Sequence, residues 1–157
     1  MSPWITEIGP LDAGHRQALQ LHLMALDRDD RYARFGRTMS DDAVLGWVQN
    51  LNWYQARWWG AWSAAETGLL GGLQLTPTLH TGVCELALTV HPCARHQGVA
   101  TALLKYVAET RTETDLKALV CGNGHPAVVR MARTLGLGLR MRVEAPRIWL
   151  TLPAHRI

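Results

Sequence analysis

The stretch from Leu88 to Leu104 constrains this chain more than any other. It reads Leu88-Thr89-Val90-His91-Pro92-Cys93-Ala94-Arg95-His96-Gln97-Gly98-Val99-Ala100-Thr101-Ala102-Leu103-Leu104. Up to Val90 the pattern is that of a strand, with Leu86, Leu88 and Val90 on one face and Glu85, Ala87 and Thr89 on the other. Pro92 stops the strand, because it has no N–H to give to a ladder. After Gly98, the residues Val99, Leu103, Leu104 and Val107 recur at helical spacing. A strand that passes through a short loop into a helix asks for a sheet with a helix packed across it. The first turn of that helix is also small-sided. Gly98 and Ala100 leave the backbone approachable, and the unpaired N–H groups of a helix start, helped by the helix dipole, attract anions. Arg95 would add a full positive charge at the mouth, so a diphosphate is the natural guest.

The rest of the chain fits around this unit. Residues 4–8 form a short apolar run closed by Gly9-Pro10 and are predicted as the first strand. Asp12 starts a helix over 12–26, in which Leu19, His22, Leu23 and Leu26 make one stripe. Residues 27–37 are polar and charged and read as a loop. Ser40 caps a second helix, striped by Val44, Leu45, Val48 and Leu51. Strands over 57–64, 69–75 and 81–90 follow as a meander, the second interrupted by Gly71-Gly72. Beyond the helix at 98–111 come a strand at 116–120 and a turn at Gly122-Asn123-Gly124. A helix over 125–135, stopped by Gly136, leads into strands over 137–143 and 147–152. The order is β-α-α-β-β-β-α-β-α-β-β, an α/β chain with one mixed sheet, antiparallel at first and parallel where the helix crosses over. With no repeat or linker in 157 residues, the whole span 1–157 is expected to be a single domain.

The segment Arg95-His96-Gln97-Gly98-Val99-Ala100, preceded by Val90-His91-Pro92, resembles the acyl-CoA-binding motif of the GNAT superfamily of N-acetyltransferases. That motif reads Arg/Gln-x-x-Gly-x-Gly/Ala after a strand ending in Val-x-Pro. Downstream, residues 125–137 are similar to the family's Asn-x-x-Ala-x-x-Leu-Tyr-x-x-x-Gly-Phe helix, and the element order is also the family's. The resemblance implies a GNAT fold and acetyl-CoA as cosubstrate. Pantetheine would lie against the backbone of Leu88 and Val90 as an added strand. The diphosphate would rest on the loop formed by Arg95, His96, Gln97, Gly98, Val99, Ala100 and Thr101. The implied reaction is direct attack of a primary amine on the thioester in a ternary complex. An amine with a pKa near 10 is mostly protonated at pH 7 and needs a base. Glu85, on the strand leading into the loop, is the candidate. The tyrosine that usually handles the thiolate is replaced by Ala132, and His125, at the usual asparagine position, is the candidate in its stead. The loss of that tyrosine opens an alternative: a CoA-binding or sensory module with weakened turnover.

Other features narrow the field. Charged residues make up 18% of the chain, the net charge is +3, and no block of like charge occurs, so nucleic acid is not an expected partner. No apolar run reaches membrane-spanning length, about 18 residues, and the N-terminus lacks a signal-peptide pattern. Three cysteines are too few and too odd for a disulfide framework, so a reducing cytoplasm is expected. His91, Cys93 and His96 lack the fourth ligand of a structural zinc site, and no metal is expected. Trp47, Trp53, Trp58, Trp59 and Trp62 read as core plus a surface for a dimer or an acceptor wall. For the acceptor, a small-molecule or a protein amine, two readings compete. Asp27, Asp29, Asp30, Asp41 and Asp42 would suit a cationic amine, whereas Arg28, Arg31, Arg34 and Arg37 would suit one that carries a carboxylate. A homodimer is compatible with the resemblance.

Overall fold

A computed structural model describes residues 5–63, 68–110, 116–121, 126–142 and 147–153. Seven strands form one sheet: β1 (Glu7–Leu11), β2 (Arg57–Trp62), β3 (Leu69–Pro77), β4 (Val83–Val90), β5 (Ala118–Cys121), β6 (Gly138–Arg142) and β7 (Arg147–Thr151). Their spatial order is β1-β2-β3-β4-β5-β7-β6, and only β4 and β5 run parallel. Among the described residues the α-helices are α1 (Arg16–Met24), α2 (Arg28–Phe35), α3 (Asp41–Gln49), α4 (Val99–Thr110) and α5 (Pro126–Thr134). The mixed sheet, antiparallel in its first half and parallel where α4 crosses from β4 to β5, is the one the sequence predicts.

Two local expectations fail for identifiable reasons. The first strand does not end at Gly9-Pro10 but runs through it, with Pro10 opposite Trp59. β1 is the edge of the sheet, where a residue without an N–H forfeits no ladder bond on its open side. Residues 27–37, read as a loop, contain α2. Its ends are well signalled: Asp27 accepts from the Asp30 N–H at one end, and Gly36 closes the other with φ +71°. The helix buries Arg31 rather than an aliphatic stripe, so the hydrophobic period that normally reveals a helix is missing. The Arg31 guanidinium donates to the carbonyls of Met24, Leu26 and Met39 and pairs with Asp41 at 2.8 Å, tying α1, α2 and α3 together.

The sheet separates two cores. One side carries aliphatic residues of β3, β4, β5 and β7 packed on Leu103, Leu104 and Val107 of α4 and Met131 and Ala132 of α5. The other carries Trp58, Leu19, Leu23, Val44 and Val48 beneath α1 and α3. Gly71 explains the glycine pair inside β3. A Cβ there would come within 2.6 Å of Val99 and 2.9 Å of Leu103, so α4 can seat only on a bare backbone.

Candidate functional site

β4 bonds to β3 along its whole length but to β5 only from Val83 to Glu85. The strand bonds of Thr78 to Val83 and of His91 to Leu70 fix the alternation: odd-numbered residues of β4 face β3. The N–H and C=O of Leu88 and Val90 therefore point the other way. Among the described residues no strand flanks them there. The sheet splays open at its centre and leaves backbone donors and acceptors for a ligand that carries amides.

The loop after β4 leads directly to the second half of the site. His91 caps one turn of 3-10 helix, Pro92–Ala94, by accepting from the Cys93 N–H. The chain then turns through His96 (φ +59°) and Gly98 (φ +78°), two left-handed residues that fold the loop back on itself. The first α4 bond runs from the Ala102 N–H to the Gly98 carbonyl. The N–H groups of Val99, Ala100 and Thr101 thus have no acceptor inside the helix, and Gly98 has no side chain to cap them. The Val99 side chain is buried in the core, Ala100 and Thr101 are half-buried, and His96, Gln97 and Gly98 are exposed. Arg95 is not free at the mouth as the sequence suggests. Its guanidinium pairs with Asp30 of α2. The charge is present, but it is shared with a helix that the sequence reading took for a loop.

Glu85 lies at the point where β4 and β5 part, on the face covered by α1, α2 and α3. It is exposed, and its strand partner on β3 is Thr76. Arg34 of α2 reaches the same area. Its guanidinium donates to the Gln74 side-chain oxygen and lies over the rings of Phe35 and Trp47, 4.9 and 5.4 Å from their centroids. Burial lowers the Arg34 pKa to about 10, against the opposing pull of the Glu85 carboxylate. Cys121, at the end of β5, has its thiol pKa raised to about 11 by burial and by the same carboxylate. His125 lies outside the described residues. Ala132 is fully buried in the aliphatic core.

Sequence reasoning missed a buried pair behind β4. The His22 ring binds the Leu69 carbonyl through Nδ1 at 3.1 Å and the Thr89 hydroxyl through Nε2 at 2.8 Å. A carbonyl can only accept, so Nδ1 carries the proton and Nε2 accepts from Thr89. Burial holds the His22 pKa down at about 4, so the ring is neutral at pH 7. The signal was available: a histidine at a buried position of an apolar stripe needs partners.

The site thus brings an open strand edge, an uncapped helix start and a carboxylate to one end of β4. The sequence matches the acetyltransferase (GNAT) family over residues 20–137. The chain belongs to the GNAT family. Solved GNAT structures share the fold. The GNAT domain of S. lividans PAT is 15% identical, with 92% of this chain and 88% of that one covered and a TM-score of 0.68. A GNAT superfamily phosphinothricin acetyltransferase from Sinorhizobium meliloti, in complex with AcCoA, is 14% identical over 94% of this chain and 88% of that one, with a TM-score of 0.67. The spermidine N-acetyltransferase from Vibrio cholerae, in complex with CoA and spermine, is 14% identical over 93% and 95%, with a TM-score of 0.64. Comparison with curated proteins finds no match. At these identities the solved GNAT structures speak for the fold. In this GNAT chain no described helix is long and apolar enough to cross a membrane.

Proposed function

We propose that this GNAT protein transfers an acetyl group from acetyl-CoA to a primary amine by direct attack in a ternary complex. One observation carries the reading: the open edge at Leu88 and Val90 runs straight into the uncapped start of α4. Pantetheine amides would complete the strand edge, and the diphosphate would accept from the N–H groups of Val99, Ala100 and Thr101.

In the reaction the amine nitrogen bonds to the thioester carbonyl carbon, and the carbon–sulfur bond breaks. The Leu88 N–H, aimed into the splay, would stabilise the oxyanion. Glu85, directly or through a water, would take the amine proton. The departing CoA needs little help, since a thiol of pKa near 8.5 is a good leaving group. His125 is the residue proposed to protonate it.

The alternative, a CoA-binding module with weakened turnover, is favoured by Ala132, whose buried methyl offers no proton. Steady-state release of CoA with a panel of primary amines separates the two. The enzyme reading expects turnover that falls about 10²- to 10⁴-fold in Glu85→Gln with acetyl-CoA affinity retained. Tight acetyl-CoA binding with no amine-dependent release would favour the module.

A further inference from the structure

Between α3 and β3 lies a cavity of about 480 Å³, within the size range of small-molecule sites, roughly 300–1,000 Å³. Gln74 and Thr76 of β3 form part of its lining, and Thr76 is the direct strand partner of Glu85, so their side chains leave the same face side by side. Trp47 of α3 contributes an indole wall, and Arg37 is the one charged side chain in the described lining. Among the described residues Arg37 has no ion-pair partner.

Of the acidic residues that could have drawn a polycation, Asp27, Asp30 and Asp41 are committed elsewhere. Asp27 caps α2, and its pKa is lowered chiefly by the Asp30 N–H it accepts from. Asp30 holds Arg95, and Asp41 holds Arg31. No carboxylate is part of the described cavity lining. The arginines divide in the opposite way. Arg31 is structural, Arg34 holds Gln74 in place, and Arg37 is left facing the cavity.

We propose that this cavity is the acceptor pocket and that it takes a small amine bearing a carboxylate or a similar anion. The anion would pair with Arg37, the body would lie against Trp47 between the amides, and the amine would point to Glu85. A guanidinium binds a carboxylate through two parallel hydrogen bonds, which gives orientation as well as attraction. The inference rests on the N-acyl transfer reading, and its test separates the two.

The test compares α-amino acids with their carboxamides and with the corresponding decarboxylated amines, in wild type and in Arg37→Gln. CoA release is one readout. The shift of the Trp47 indole N–H resonance on titration with each acceptor, in the presence of CoA, is a second that needs no turnover. The proposal expects kcat/KM at least tenfold higher for the amino acid than for its carboxamide. Arg37→Gln should remove that preference, chiefly by raising KM for the amino acid. Arg37→Glu should reverse it in favour of diamines. If no amine is turned over but only the anionic ones shift Trp47, and only with Arg37 intact, the pocket stands and the transfer reading falls. Turnover or Trp47 shifts that ignore the carboxylate, or a preference that survives Arg37→Gln, would overturn the pocket assignment and leave the transfer reading in place. Absence of any Trp47 shift with all three acceptor classes would overturn it as well.

Discussion

The two sides of the sheet work by opposite means. Beneath α4 and α5 the core is almost wholly aliphatic, and what it presents to a ligand is backbone: the edge of β4 and the first turn of α4. Beneath α1, α2 and α3 the core is built round Trp58, and what it presents is side chains, Arg37, Trp47, Gln74 and Glu85 among them. A backbone site is written locally, in where glycine and proline fall. A side-chain site is assembled from the segment after α2 and from α3, β3 and β4, and its members are spread from Arg37 to Glu85 in sequence. The first can serve a cosubstrate common to a family. The second can differ from one chain to the next.

The largest effects should come from the packing of each side. Leu103→Ala removes a fully buried side chain from the aliphatic core and Trp58→Ala one from the aromatic core. Each should cost about 2–5 kcal/mol in denaturant unfolding. The two should differ in what else they lose. Leu103→Ala should weaken acetyl-CoA binding because α4 carries the cradle, whereas Trp58→Ala should leave it within about threefold and raise the KM for the acceptor. Equal effects on both ligands would break the division.

His22 joins the sides, since it stands in the α1 layer and binds β3 and β4 from behind the splay. Its pKa is about 4 when folded and 6.5 as an ordinary side chain, so the unfolded chain takes up a proton first as pH falls. Stability due to this residue is therefore intact above about pH 6.5 and lost progressively down to about pH 4. The total is on the order of 3 kcal/mol, from about 1.4 kcal/mol per unit. Unfolding curves at pH 7.5 and 4.5 should show that slope, and His22→Gln should flatten it while lowering stability at pH 7.5. A variant with the wild-type slope would remove His22 from this role.

The smallest effect concerns the ion pair between Asp30 of α2 and Arg95 of the loop after β4. Asp30 accepts from the Arg95 guanidinium. The pair is partly exposed, so Asp30→Asn should change stability by less than about 1 kcal/mol. It should nevertheless tighten acetyl-CoA binding a few-fold at low salt, because Arg95 no longer has a competing carboxylate. Unchanged or weaker binding would mean that Asp30 orders the loop more than it competes with the diphosphate.

This contrast also explains what was legible in the sequence. The loop from Arg95 to Thr101, the strand carrying Leu88 and Val90, and the parallel crossover were readable because glycine, proline and alternation act over a few residues. The helix α2 was not, because an arginine fills the place of its apolar stripe and the bonds that justify it come from Met24, Leu26 and Met39. Nor was the fate of the charges. Asp and Arg residues crowd 27–42 in nearly equal number, and only the folded chain pairs Asp30 with Arg95, 65 positions away. Likewise, His22 was visible as an oddity in an apolar stripe, but its partner Thr89 lies 67 residues on.

The most direct test of the account is calorimetric titration with acetyl-CoA of wild type and Thr101→Glu. Thr101 is the third residue of α4, where a glutamate favours the helix by about 0.3–1 kcal/mol and so preserves the fold. The same carboxylate would stand among the N–H groups assigned to the diphosphate. The account predicts micromolar binding by wild type and a loss of at least about a hundredfold in Thr101→Glu, with a melting temperature equal or higher. Equal affinity in the two proteins, or no binding by folded wild type, would contradict it.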